Sequence, residues 1–367
     1  MGFPLAPPEG LFYTPSNSIR HLQSQIKIRW VFGQKEADMK AIVIIRGEQG
    51  GTMSLQDVPT PKPRPKELLI EVKATALNRA DLFRVKGTYI TTAAPAEGLP
   101  EIVGGEAAGI VMDMGKDVAG FAIGDRVMGM CTGGYAEFTT MHHRLAIPVP
   151  ERLSWEEAAS VPVSYMTEHN ALITNGRLKA GESVLVNGAS SGVGVAAVQI
   201  AKLWGAKPVI GLAGAPAKLA ALSDLGMDVG INYRTDNFKE AVLATTEGKG
   251  VDLIIDHVGG PHLKDNLKCM ALKGRLVSVG RLGGEIGQLN MDLLALKRLE
   301  LIGVTFRTRT LSERIEIARQ VIADLLPALA DGRLKPVVDR IFSLEQAAEA
   351  HAYMASNVQL GKIVLKT

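Results

Sequence analysis

The segment SVLVNGASSGVGVAAVQIAK, residues 183–202, joins an apolar strand to an amphipathic helix through a turn of small residues. This is the setting of a dinucleotide fingerprint. Small side chains let the backbone approach a pyrophosphate, and the N–H groups of the helix start face it with the favourable end of the helix dipole. Ala189, Ser190, Ser191, Gly192, Val193 and Gly194 are the candidate contacts. The strict G-x-G-x-x-G pattern is not met, because its three positions fall on Ala189, Ser191 and Gly194. A bare strand-to-helix turn would look the same over these residues alone; three further strand–helix units following in order favour the fingerprint.

The end of the second strand of such a unit distinguishes the two nicotinamide cofactors. A carboxylate there accepts from the ribose 2′-OH, whereas a cation with small polar groups accommodates a 2′-phosphate. Here VIGLAGAPAK places Ala213 and Gly214 at that point and Lys218 one turn into the next helix, with no acid. A lysine in this position is commonly a solvated surface group, but loss of the acid makes it a candidate phosphate partner. Tyr233, in INYR after the third strand, offers a phenolic OH. NADPH is therefore the expected cofactor. The fourth strand ends in His257-Val258-Gly259-Gly260 and the fifth in Val279-Gly280-Arg281. Carboxyl ends of strands are where ligands bind in open α/β sheets, so Val258, Gly259, Gly280 and Arg281 join the candidates, although the glycines also suit plain turns.

Positioning these residues takes two kinds of scaffold. Between Met39 and about Pro150, the runs KAIVII, ELLIEVKA, EAAGIVMDM and DRVMGM, punctuated by Gly and Pro, predict a mostly antiparallel, barrel-like β unit. From Ser154 the chain turns helical (SWEEAASV) and then alternates strands with helices, among them HLKDNLKCMALKG, which predicts a doubly wound parallel sheet. A helix (LSERIEIARQVIADLLPALADG), a strand (LKPVVDRIF), another helix and the strand KIVLKT follow; this last strand is expected to return to the first domain. At 367 residues the chain is long enough for two cores. Residues 1–38 lack sustained periodicity and do not read as a secretory signal, so a poorly ordered extension is expected there.

Bulk composition narrows the partners. With 41 Lys+Arg against 38 Asp+Glu, the net charge of +3 provides no overall field towards nucleic acid or a membrane surface. Cys131 and Cys269 are the only cysteines, too few for a disulfide framework or a Cys-rich zinc lobe, and consistent with a cytoplasmic setting. No apolar run reaches the roughly 18 residues of a spanning helix.

Together with ALNRADLFRVKGTY, EIVGGEAAGIV, GDRVMGM, VSYMTEHNAL and GKIVLKT, these features resemble the medium-chain dehydrogenase/reductase superfamily along nearly the whole chain from Met39, and within it the quinone oxidoreductases. The resemblance implies an α/β protein. A GroES-like catalytic domain (residues 39–160 and 310–367) would be interrupted by a Rossmann domain (161–309), with the nicotinamide between them. Zinc members use an early Cys, a His in Gly-His-Glu and a later Cys or acid. Here those places hold Asn78, Gly105 before Glu106, and Val161-Pro162-Val163. Catalytic zinc needs three protein donors, so no metal is expected. The resemblance carries over Asn78 as a polar contact near nicotinamide or substrate and Thr167 as a contact to the nicotinamide ribose. Phe306 and Arg307, after LELIGVT, would line the same end. Tyr89 either donates a proton or hydrogen bond to the substrate oxygen or packs on the barrel. Asp81 is expected to tie its loop by accepting from backbone N–H groups.

Without a Lewis acid, conjugated acceptors are the suitable substrates. The expected activity is NADPH-dependent reduction of a quinone or other α,β-unsaturated carbonyl. An enoyl-thioester reductase would show a basic rim for the carrier phosphate, and no such cluster stands out along the sequence. A nucleotide-binding structural or regulatory protein with little turnover is the reading from another class. LELIGV would be an exposed apolar strand edge in a monomer, so a homodimer is expected.

Overall fold

The computed structural model describes residues 38–48, 50–89 and 99–367. All but the last residue of the expected N-terminal extension therefore lie outside the described residues. Strands β1 (Asp38–Gly47) and β2 (Gly50–Pro59) pair antiparallel. Strand β2 carries no apolar alternation that would mark it in the sequence. Only Val58 of this strand is buried, so backbone pairing holds it without an apolar alternation.

The β-rich part continues through β3 (Glu67–Ala76), α1 (Arg79–Val85), β4 (Glu106–Met114), β5 (Arg126–Met130), β6 (Phe138–His142) and β7 (Ala146–Pro148). Two short helices follow, α2 (Trp155–Ala159) and α3 (Pro162–His169). Ser154 and Glu157 cap α2 reciprocally: Ser154 Oγ accepts from Glu157 N at 3.1 Å, and the Glu157 carboxylate accepts from Ser154 N at 2.9 Å. Past α3 the helix widens over residues 170–175, where Gly176 N reaches back five residues to Ala171 O. Such wide turns recur at functional sites.

The alternating part runs β8 (Val184–Asn187), α4 (Gly192–Leu203), β9 (Val209–Ala213), α5 (Pro216–Ser223), β10 (Val229–Asn232), α6 (Phe238–Thr245), β11 (Val251–Asp256), α7 (Gly260–Cys269), β12 (Met270–Ser278), α8 (Met291–Lys297) and β13 (Glu300–Gly303). Its six strands are parallel in the order β10-β9-β8-β11-β12-β13. This is the doubly wound order, and its direction reverses between β8 and β11. Every residue of β8 and β9 is buried, which explains their unbroken apolar runs. One expected element is shorter than predicted. The helix read over HLKDNLKCMALKG ends at Cys269, because Met270 pairs with Val251 and starts β12, overriding the helical propensity of MALK.

The chain closes with α9 (Leu311–Ala330), β14 (Val338–Ser343), α10 (Ala347–Ala355) and β15 (Lys362–Lys366). As expected, β15 returns to the β-rich part, pairing antiparallel with β3 and parallel with β14 in a sheet ordered β14-β15-β3-β4-β5-β7. Among the described residues, no helix is long and apolar enough to cross a membrane.

Candidate functional site

The reversal between β8 and β11 opens a crevice at their carboxyl ends, the place where ligands bind in such sheets. The fingerprint turn leaves β8 there. Gly188 has φ +73°, a left-handed backbone that favours glycine. A Cβ on Gly194 would lie 2.3 Å from the Gly188 carbonyl oxygen, so the closeness of the turn also excludes a side chain at that point. Ser191 Oγ accepts from Gly194 N at 3.0 Å and caps α4. The first-turn N–H groups of Gly192 and Val193 then remain for an outside acceptor, as a phosphate-binding turn requires.

The end of β9 carries the groups expected to read a 2′-phosphate. A Cβ on Gly214 would lie 2.7 Å from Tyr233 Oη and 2.9 Å from Arg234 Nε, so a phenol and a guanidinium converge on this glycine. Arg234 was not anticipated; it lies next to Tyr233 in INYR, and only the fold shows that it turns towards β9. Lys218 is half-buried, and its ammonium donates to the Asn357 carbonyl at 3.0 Å. Burial lowers its pKa, with Asp339 opposing.

A cleft of about 510 Å³ extends from the fingerprint helix to the β-rich part. It gathers Asn78, Tyr89, Thr167, Val193, Gly280, Arg281, Phe306 and Arg307 of the expected residues. Gly259 lines a smaller cavity beside it. The N–H groups of Val258 and Gly259 turn inward to the Asp256 carboxylate, at 2.9 and 3.2 Å. The structure also brings together what the sequence kept apart. Arg79, Arg84, Arg281, Arg307 and Arg314 all line the cleft, so the basic cluster not found along the sequence exists in space. Arg84 is paired with Glu101 at 3.0 Å, and Arg307 lies over the Tyr89 ring, 4.4 Å from its centre. Tyr89 thus packs against a cation inside the cleft.

Asn78 sits at the start of α1 in a saturated polar cluster. Its Nδ2 donates to Glu106 Oε1 at 2.8 Å, while its Oδ1 accepts from Lys362 Nζ at 2.8 Å. This fixes the amide orientation, since the opposite flip would set NH₂ against an ammonium. Glu106 is fully buried; its Oε1 also accepts from Lys362 Nζ at 2.7 Å and its Oε2 from Val163 N at 2.7 Å. Asp81 ties the loop as expected, accepting from Asn78 N at 2.8 Å. Burial pushes its carboxyl up to about 6, against the lowering effect of that N–H bond and of Lys362. Cys131 lines the cleft with its thiol pushed up to about 12 by burial, so it remains protonated and a poor nucleophile. Among the described residues no group of three or more His, Cys, Asp or Glu could hold a metal ion.

A second buried pair closes the crevice. His257 Nδ1 lies 2.7 Å from the Asn187 carbonyl oxygen and Nε2 lies 2.9 Å from Glu168 Oε1. A carbonyl only accepts, so Nδ1 carries a proton, and the Nε2 contact needs another. Burial lowers the imidazole pKa, but Glu168, with Asn187 and Asp256, outweighs it and raises the value above 6.5. Both ring nitrogens are thus engaged, with one proton held between Nε2 and Glu168 Oε1. Nothing in the sequence marked Glu168, because its partner lies 89 residues away.

Known proteins resemble this chain in sequence and fold. Residues 64–151 match the alcohol dehydrogenase GroES-like domain and residues 192–324 match the zinc-binding dehydrogenase family. The quinone oxidoreductase of Rattus norvegicus is 35% identical over 332 residues, spanning 89% of this chain and 97% of its own length. A mycobacterial protein solved in complex with NADPH is 29% identical with a TM-score of 0.79, over 90% of this chain and 100% of that one. A NAD-dependent alcohol dehydrogenase is 32% identical, also at 0.79 and with the same coverage. The CurK enoyl reductase is 28% identical at 0.76, over 89% and 98%.

Proposed function

Since the chain belongs to the medium-chain dehydrogenase/reductase superfamily, in its quinone oxidoreductase branch, we propose that it reduces quinones or other α,β-unsaturated carbonyls by hydride transfer from NADPH without zinc. The observation that carries this reading is the saturation of Glu106. This carboxylate stands beside Asn78 and Gly105, and both its oxygens are held by Lys362, Asn78 and Val163 N. An amide, a glycine and a spent carboxylate make no three-donor zinc site. The nicotinamide, when bound, supplies the hydride. The chain supplies position: Thr167, Val193, Gly280 and Phe306 line the cleft around an acceptor, and Asn78 is held rigid at its edge.

The decisive experiment follows NADPH oxidation with a panel of quinones, enones and enoyl-CoA esters before and after exhaustive chelation. Turnover of quinones, unchanged by chelation, is expected. One zinc per chain whose removal abolishes activity would overturn the zinc-free part. Tight NADPH binding with no turnover of any acceptor would favour a structural or regulatory role. The arginines lining the cleft favour a second reading, an enoyl-thioester reductase, because they could meet a carrier phosphate. Enoyl-CoA turning over well ahead of every quinone would establish it.

The preference for NADPH rests on Ala213, Lys218, Tyr233 and Arg234, with no acid at the end of β9. Lys218→Ala should weaken NADPH binding about tenfold or more, the worth of a hydrogen bond to a charged group, and leave NADH unchanged. Equal losses for both nucleotides would remove Lys218 from this role.

The homodimer is also proposed. Strand β13 is the sheet edge, with β12 as its one neighbour in the sheet. Exposed apolar side chains concentrate nearby in sequence: Ile286 at 92%, Leu296 at 70%, Met291 at 63% and Leu301 at 39%. Apolar edges of this kind are usually paired or covered. Light scattering at micromolar concentration should give a dimer, and Leu301→Lys should shift it to monomer. A monomeric wild type would count against the assignment.

A further inference from the structure

We infer that Lys362 is the positioning residue of the cleft. Its ammonium fixes Asn78 and Glu106, and its methylene stem fixes the cofactor turn at Gly192, so one side chain sets the two walls in register. The inference rests on the cleft being the nicotinamide and substrate site.

At the head, Nζ donates to Leu77 O at 2.7 Å, Asn78 Oδ1 at 2.8 Å and Glu106 Oε1 at 2.7 Å. An ammonium has three N–H bonds, and all are spent on the protein. Lys362 therefore has no donor left for substrate or phosphate and acts through its partners. Glu106 relays the constraint to Val163 N, in the first turn of α3, the helix that carries Thr167 into the cleft.

The stem reaches the opposite wall. A Cβ on Gly192 would lie 2.5 Å from Cδ and 3.1 Å from Cγ of Lys362. A free lysine would swing aside, but this one is held at its head by three hydrogen bonds. Gly192 starts α4 and is not among the glycines of positive φ, so its backbone does not call for glycine. The lysine stem does. The same stretch of chain is bonded to the turn, since Gly361 N donates to Ser190 O at 3.0 Å and Gly361 bridges Ser191. The absence of a side chain at residue 192 thus serves Lys362 as well as a pyrophosphate.

A double-mutant cycle tests this. The partner background is Glu106→Gln with Lys362→Ala, which removes the stem and leaves no unpaired buried charge. NADPH affinity by calorimetry and melting temperature without nucleotide are read for Gly192→Ala in wild type and in that background. We expect Gly192→Ala to weaken NADPH binding about tenfold in wild type and less than about threefold in the background, the non-additivity of residues in contact. The drop in melting temperature should shrink in parallel. Equal losses in both backgrounds would show that Gly192 serves the nucleotide alone and would overturn the role of the stem.

The head is tested by Glu106→Gln with Lys362→Met, which keeps the stem and removes both charges. With 1,4-naphthoquinone as acceptor, kcat should fall at least about tenfold while KM and NADPH affinity stay within about threefold, the pattern of a lost transition-state alignment. Unchanged kcat would overturn the positioning role. If wild type reduces no acceptor, the functional reading fails, and the NADPH cycle still decides whether Lys362 links the walls.

Discussion

The His257→Leu variant is expected to lose about 3–5 kcal/mol of folding stability, the usual cost of leaving one member of a buried ion pair uncompensated. Glu168 is fully buried, its Oε1 is held by His257 Nε2, and its Oε2 has no hydrogen-bond partner among the described residues. Removing the imidazole leaves a buried carboxyl group without its partner. A domain's whole stability is of order 5–15 kcal/mol, so the loss should be plain in a thermal melt. Adding Glu168→Leu should recover most of it, because both charges are then gone. A single variant that melts like wild type would mean that the pair contributes little to stability. The pH dependence supplies an independent check. The His257 pKa is raised above its ordinary 6.5, so its stabilisation is fully present below that value and is lost as pH rises through the raised one. Wild type should show this alkaline loss and the double variant should lack it.

The second large effect is on turnover. Asn78→Ala should reduce kcat with a quinone by more than about a hundredfold, and Tyr89→Phe by less, about a hundredfold being the lower end for removing a general acid. The asymmetry follows from what each change leaves behind. Asn78→Ala takes one partner each from Glu106 and Lys362 and opens space at the cleft edge. Tyr89→Phe keeps the ring on which the Arg307 guanidinium lies, and removes only the phenolic oxygen. Collapse of turnover in Tyr89→Phe with NADPH affinity intact would make Tyr89 the proton donor. It would also move the preferred substrate towards enones and enoyl thioesters, whose enolates need that proton.

Much of this molecule is legible in its sequence wherever the signal is local. The fingerprint turn lies between a buried strand and its helix within twenty residues, and Gly188 and Gly194 there are demanded by the backbone itself. The return of KIVLKT to the first domain could be argued because an αβ appendage beyond a finished sheet needs another core to pack on. What stayed hidden is whatever depends on pairing across long separations. Glu168 with His257, and Lys362 with Glu106, are unremarkable in sequence and become buried pairs only when the fold sets them together. The arginine cluster is the same case, drawn from segments around 79–84, 281 and 307–314. Arg234 was missed for a different reason: beside a tyrosine already chosen, neither spacing nor pattern says which way its side chain turns. Strand β2 gave no signal because it is held by its backbone rather than its side chains.

The bonds from Lys362 to Leu77 and Glu106 span 285 and 256 residues, which has a consequence in time. Loop closure over such distances is slow relative to local pairing, and the lysine emerges from a ribosome long after the residues it must meet. Until it arrives, Glu106 has no cation, and the site for which it is buried cannot close. In the doubly wound sheet the longest jump along the chain is the one from β8 to β11, so its wait is shorter. Assembly should thus leave a folded nucleotide platform beside an unfinished substrate wall, with the cleft completed only when β15 docks.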